Sequence, residues 1–270
     1  MELKPTINNL QKLTKALKAL QSPKKDLSDY KMEEGLRRAR MVVVEINFEE
    51  LIRSLAEEEN AIKEKIAASL QRRRENLLKA AQGSGMPYKR FGEYDRVGPF
   101  KISYKSKRVQ IEIGSEQIAE IEEAEGEKVF ENIVNTLTSL ENEPFDRENF
   151  FKTFKDALTL AENHGQLDRE GWVPIQFIYA KFVLLRHLYI DDFIKKPEKN
   201  RFRKYSKAQF LYDLARFGRK GWFLGDEILR SRTPNMATVA AGKAMIIPDL
   251  ISAEGFGNQV AVMKIEKRAI

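Results

Sequence analysis

The 270-residue sequence contains no cysteine. That excludes disulfides, thiolate zinc sites and cysteine nucleophiles together, and it fits a reducing, cytoplasmic setting. Histidine is scarce, with only His164 and His187. His164 stands before Gly165 at an expected helix end, where an imidazole caps carbonyls. His187 lies four residues before Asp191, with Asp192 adjacent, a spacing better explained by a helix-surface pair than by a metal site. Long apolar runs are also missing. Met41 to Val44 and Phe182 to Leu185 are core-sized, far short of the ~18 apolar residues that span a bilayer. Lys4, Lys12, Lys15 and Lys18 interrupt the first twenty residues, so no apolar signal-peptide segment forms. No membrane partner is expected.

The motifs of common chemistries are missing too. Gly83-Ser84-Gly85 has Tyr88 where a dinucleotide-binding loop needs its third glycine, and nothing matches the phosphate-cradling GxxxxGK[S/T] pattern. No serine sits in a nucleophile elbow. Asp249 with Lys264 and Glu266, and Glu112 alone, have residue types used by metal-dependent nucleases, but the acid-x-Lys order fails. The reading is of a non-catalytic protein with no cofactor and no metal site, with a metal-dependent nuclease as an alternative.

What the sequence has is charge in one place. Twelve Lys and Arg against four Asp and Glu lie between Lys195 and Arg232, a local net charge of +8 in a chain of +7. Everything outside that window sums to −1. A concentrated basic segment is the footprint of a nucleic-acid contact, because neutralising phosphates releases counterions. DNA is the expected partner, with RNA as the alternative nucleic acid. Acidic runs at Glu57 to Glu59 and Glu120 to Glu127 read as solvated faces.

Along the chain, Leu3, Leu10 and Leu17 are seven apart, with Leu13 and Leu20 between. That is a short a/d stripe, ended by Ser22-Pro23, and it predicts either an amphipathic helix docked on its own chain or a helix for self-association or partner binding. Asn47 with Glu50 is a capping-box start, and Gly83 is a stop, so a helix of about 36 residues, roughly 50 Å long, is expected between them. Its apolar positions are Leu51, Leu55, Ile62, Ile66, Leu70 and Leu77. Residues 31 to 46 either extend it backwards or end in a short strand at Met41 to Ile46. Gly83 to Gly98 reads as a linker. Phe100, Ile102 and Tyr104, then Val109, Ile111 and Ile113, alternate as a hairpin, with Ile118 to Ile121 as a third strand. Glu127 to Leu140 returns to helical spacing through Val129, Ile133, Val134, Leu137 and Leu140.

The C-terminal segment reads as helix (Arg147 to Asn163), short strand (Trp172 to Ile175), helix (Gln176 to Tyr189), basic loop and helix (Ser206 to Phe217). Two strands follow, Lys243 to Ile247 and Gln259 to Ile265. That order is similar to a winged helix-turn-helix. On the third helix Phe210, Leu211, Leu214 and Phe217 make the apolar stripe. Tyr205, Gln209, Tyr212, Arg216 and Arg219 make a second stripe with the residue types of a groove reader. Lys199, Arg201, Arg203 and Lys204 precede it, Lys220 follows it, and Arg230 and Arg232 stand where the wing would begin.

The expectation is therefore a mostly α chain with small β elements: a coiled-coil or helical arm at 1–82, a β-hairpin-plus-helix module at 83–145, and a basic winged-helix-like domain at 146–270. It would bind nucleic acid and assemble through the arm. In architecture it is similar to accessory subunits of chromosome-maintenance or phage-defence ATPase complexes. A protein-docking scaffold without DNA binding is the alternative.

Overall fold

The structure is a computed structural model. It describes residues 8, 10–15, 18, 37, 48–105, 108–122, 125–188, 195, 204–251, 253–254 and 257–268. The chain divides into two compact units, Met1–Leu70 and Gln71–Ile270.

In the first unit residues 10–15 are helical, with Leu10 and Leu13 half-buried. Leu3, Leu17 and Leu20 lie outside the described residues. Helix α1 runs Phe48–Gly83, at the bounds that Asn47 and Gly83 predict. No coiled coil is shown among the described residues. Ile62 and Ile66, one turn apart on α1, are 54% and 61% exposed, so they meet solvent where a coiled coil would bury them. The sequence gives the reason: Glu58, Glu59, Ser69 and Arg73 break the apolar seam that such a coil needs.

The second unit is mixed α/β with three antiparallel sheets, which corrects the mostly-α expectation. Strands β1 (Tyr88–Arg90), β2 (Tyr94–Val97), β3 (Phe100–Lys105), β4 (Arg108–Ile113) and β5 (Glu116–Glu122) form a five-stranded meander in chain order. The alternation that predicts β3 and β4 buries Phe100, Ile102, Val109, Ile111 and Ile113 on one face. Helix α2 (Gly126–Asn142) covers that face with Val129, Ile133 and Leu140, and the end of α1 adds Leu77 and Ala81. The two helices touch at Gly126, where a Cβ would stand 2.4 Å from the Leu77 nitrogen.

The expected linker before Phe100 is thus two strands of the sheet. Asp95 and Arg96 on β2 are buried, at 0% and 2% exposure, so β2 lacks the apolar alternation that announces a strand. Arg74 of α1 reaches Asp95 at 3.4 Å and donates to the Phe91 and Gly92 carbonyls, and the Tyr104 hydroxyl donates to Asp95 at 2.8 Å. Burial raises the Asp95 pKa, against the opposing pull of Tyr104 and Arg74.

Helices α3 (Arg147–Asn163), α4 (Ile175–Leu188) and α5 (Lys207–Gly218) build a second core rich in phenylalanine, centred on Phe150, Phe154, Phe182, Phe210 and Phe217. Asp146 and Ser206 cap α3 and α5 by accepting from the Asn149 and Gln209 amides. A four-stranded sheet flanks this core in the order β6 (Val173–Pro174), β11 (Val262–Lys267), β8 (Glu227–Arg232), β7 (Phe223–Leu224). After β8 comes the short helix α6 (Met236–Ala240). Among the described residues, strands β9 (Met245–Ile247) and β10 (Asn258–Val260) pair only with each other.

A winged helix is not shown. The second strand expected in its wing, Gln259 to Ile265, is broken at Ala261: its start belongs to β10, which pairs with β9, and the rest to β11, which pairs with β8 in another sheet. The expected reading helix is internal. α5 places Phe210, Leu211, Leu214 and Phe217 in the phenylalanine core, and Ala208 and Tyr212 in the core under the meander. The analogy to accessory subunits of ATPase complexes, built on a winged helix, loses its basis.

Candidate nucleic-acid interface

The polar stripe of α5 meets the end of α2, beside the core under the meander. Gln209 and Tyr212 are buried, and so is Tyr205 just before the helix. The Gln209 amide donates to the Leu140 carbonyl at 3.1 Å and to Asp213 at 3.0 Å. The Tyr205 hydroxyl donates to the other Asp213 oxygen at 2.8 Å, and the Tyr212 hydroxyl donates to Glu141 at 3.0 Å. Arg216 is half-buried, 3.3 Å from Asp213 and 4.5 Å above the Phe145 ring. Gln209, Tyr212 and Arg216 therefore join α5 to the end of α2 and the residues after it, Tyr205 packs on Phe182 and Arg186 of α4, and the four are turned from a groove-reading position. Desolvation raises the Asp213 pKa, and it also raises those of the Tyr205 and Tyr212 hydroxyls.

Four predicted residues remain at the surface around α5 and β8. Arg219 and Lys220, just past the end of α5, are exposed. Their side chains have no hydrogen-bond or ion-pair partner among the described residues. Arg230 and Arg232 are exposed on β8, at 56% and 47% of their side chains. Lys204 is exposed at the start of its segment. Lys199, Arg201 and Arg203 lie outside the described residues.

Strand register adds Lys264, which the sequence offered only beside Asp249 and Glu266 in a nuclease-like set. Lys264 of β11 stands directly opposite Arg230 of β8. Like charges facing across a ladder are unfavourable, and Glu266 lies between them, 2.5 Å from Lys264 and 3.5 Å from Arg230. The Lys264 ammonium holds the Glu266 carboxyl below the usual range. Arg232 pairs with Glu170. Arg232 and Lys264 also cover the buried Trp172 ring, at 4.2 and 4.6 Å from its centroid. Only the register, which places residues 230 and 264 together, reveals this cluster.

The acid-base candidates are accounted for locally. Glu112 pairs with Lys101 at 2.8 Å, and Asp249 accepts from the Ile251 amide at 2.8 Å. The Nδ1 atoms of His164 and His187 lie 2.7 and 2.5 Å from the carbonyls of Leu160 and Val183. Among the described residues no group of three His, Asp or Glu is arranged to hold a metal ion. No described helix is long and apolar enough to cross a membrane.

No family model matches the chain, nor does any curated protein or solved structure. The functional reading therefore rests on the chain's own geometry.

Proposed function

We propose that the chain is a non-catalytic nucleic-acid-binding subunit of the cytoplasm. It holds phosphates through Arg219, Lys220, Arg230, Arg232 and Lys264, in a chain whose basic segment also includes Lys199, Arg201, Arg203 and Lys204. DNA is the first ligand to test. The observation that carries this reading is the exposed pair Arg219 and Lys220, without side-chain partners among the described residues, inside the segment of net charge +8. An unpaired exposed cation loses little on meeting phosphate, and counterion release supplies the free energy. The absence of cysteine supports the compartment.

The test is fluorescence anisotropy with a labelled duplex at low and near-physiological salt. Binding should weaken steeply with salt. Lys220→Glu with Arg230→Glu should reduce the slope of log K against log salt by about 2, one for each lost phosphate contact. Unchanged binding in the folded double variant would remove this surface from the reading. No binding at low salt would overturn it.

A second reading, protein docking through α1, has its own support in the exposed Ile62 and Ile66. Under it, the solution mass of the wild type exceeds that of one chain and falls when both residues become glutamate.

A further inference from the structure

A groove runs along the junction of α5, the turn before β7 and the β9–β10 hairpin. One part, about 330 Å³, is lined by Arg219, Trp222, Asp249 and Asn258. A second part, about 700 Å³, shares Trp222 and Asn258 with the first and continues past Ser231 and Thr233. The groove thus holds one indole, a guanidinium without a hydrogen-bond or ion-pair partner among the described residues, and hydroxyl and amide groups along its length. Asp249 is the opposing charge, and it interacts electrostatically with the buried Arg96 guanidinium. That leaves Arg219 as the cation available to an anionic ligand.

Trp222 is held in place from several sides. Its six-membered ring lies against Gly218, where an added Cβ would sit 2.5 Å from Cζ2 and 2.7 Å from Cε2. It meets Phe217 edge to face at 6.3 Å. Arg147 donates to the Gly221 carbonyl at 2.8 Å and to the Phe223 carbonyl at 2.6 Å, the residues on either side of it. The Trp222 carbonyl accepts from the Leu229 amide at 2.7 Å. An indole fixed this firmly, yet still partly open to a polar groove, is a stacking platform.

We propose that this groove takes an unpaired stretch of nucleic acid, with one base stacked on Trp222 and the neighbouring phosphate on Arg219. The proposal rests on the nucleic-acid reading above and narrows it to single strands. Asn258, Ser231 and Thr233 supply donors and acceptors for base edges and sugar, groups that a duplex keeps paired or turned away. Arg147 and Gly218 are positioning residues, since they act through Trp222.

The test compares a short fluorescein-labelled oligothymidylate with a blunt duplex of the same length, by anisotropy at one salt concentration. Single strand should bind about tenfold tighter, the scale of one base–aromatic stack. Trp222→Phe should keep that preference, and Trp222→Leu should lose it with duplex binding unchanged. Gly218→Ala touches no ligand and should also reduce the preference, by displacing the ring. Should Trp222→Leu fail to fold, Arg219→Ala, at a fully surface position, should weaken single-strand binding more than duplex binding. Equal binding of both ligands with no effect of these variants would overturn the groove assignment and leave the nucleic-acid reading standing. Binding of neither ligand would overturn both.

Discussion

Asp213 gathers three donors in a space closed to water: the Tyr205 hydroxyl, the Gln209 amide and the Arg216 guanidinium. Burial still dominates, so its pKa in the folded protein lies above the 3.8 of a free carboxyl. Between those two values the folded state binds more protons than the unfolded state. The contribution of Asp213 to stability is therefore greatest below the unfolded value and is lost as pH rises through the folded one. Asp95 follows the same sign. The stability of wild type relative to Asp213→Asn, from urea unfolding at a series of pH values, should decrease as pH rises. An increase would show that the three donors outweigh desolvation. Gln209→Ala leaves the buried Leu140 carbonyl without its amide partner and should cost about 1–3 kcal/mol in the same assay. These residues also show where reading stops. Gln, Tyr and Arg at helical spacing have the polarity of a surface, and nothing local distinguishes a wet face from a face bonded to another element. Arg219 and Lys220 are exposed, as the helix pattern predicts, and their side chains have no hydrogen-bond or ion-pair partner among the described residues. Arg216→Glu, a natural choice from the helix pattern, would place a second carboxylate beside Asp213 and test folding rather than binding.

Helix α5 was legible in its bounds and its apolar stripe. Ser206 caps it, and Phe210 is fully buried, as the i, i+4, i+7 spacing predicts. Phe210→Ala should cost roughly 3–5 kcal/mol, measured by denaturant unfolding. A neutral result would contradict the assigned face. Strands were legible where one side is apolar, as in β3 and β4. They were not where charge is buried, as in β2, or where pairing is distant in sequence, as between β8 and β11. The turn after β4 carries one further test. Gly114 has φ +57, and a Cβ there would lie 2.0 Å from the Ile246 carbonyl oxygen. Gly85 has φ +71 with open space around it. Both alanine variants meet the left-handed penalty of roughly 1–2 kcal/mol. Gly114→Ala should be the more destabilised of the two in urea unfolding, because β9 must move away. Equal losses would mean that β9 yields without cost.

Across residues 71–270 the two cores share one helix. α5 contributes Phe210, Leu214 and Phe217 to one and Ala208 and Tyr212 to the other, and Lys207 reaches Glu116 of β5 at 2.6 Å. Ile111→Ala in the meander and Phe154→Ala in the phenylalanine core should therefore shift one common unfolding transition of this unit. Two separate transitions in calorimetry would show that the cores are independent. The same helix determines what becomes of the chain after a cut. The connector at 143–144 is exposed, and the elements on either side of it meet through Gln209 and Tyr212, which bond Leu140 and Glu141 of α2, rather than through the covalent link alone. A protease that nicks there should yield two fragments on a denaturing gel and a single species on a sizing column, held together until a denaturant is added.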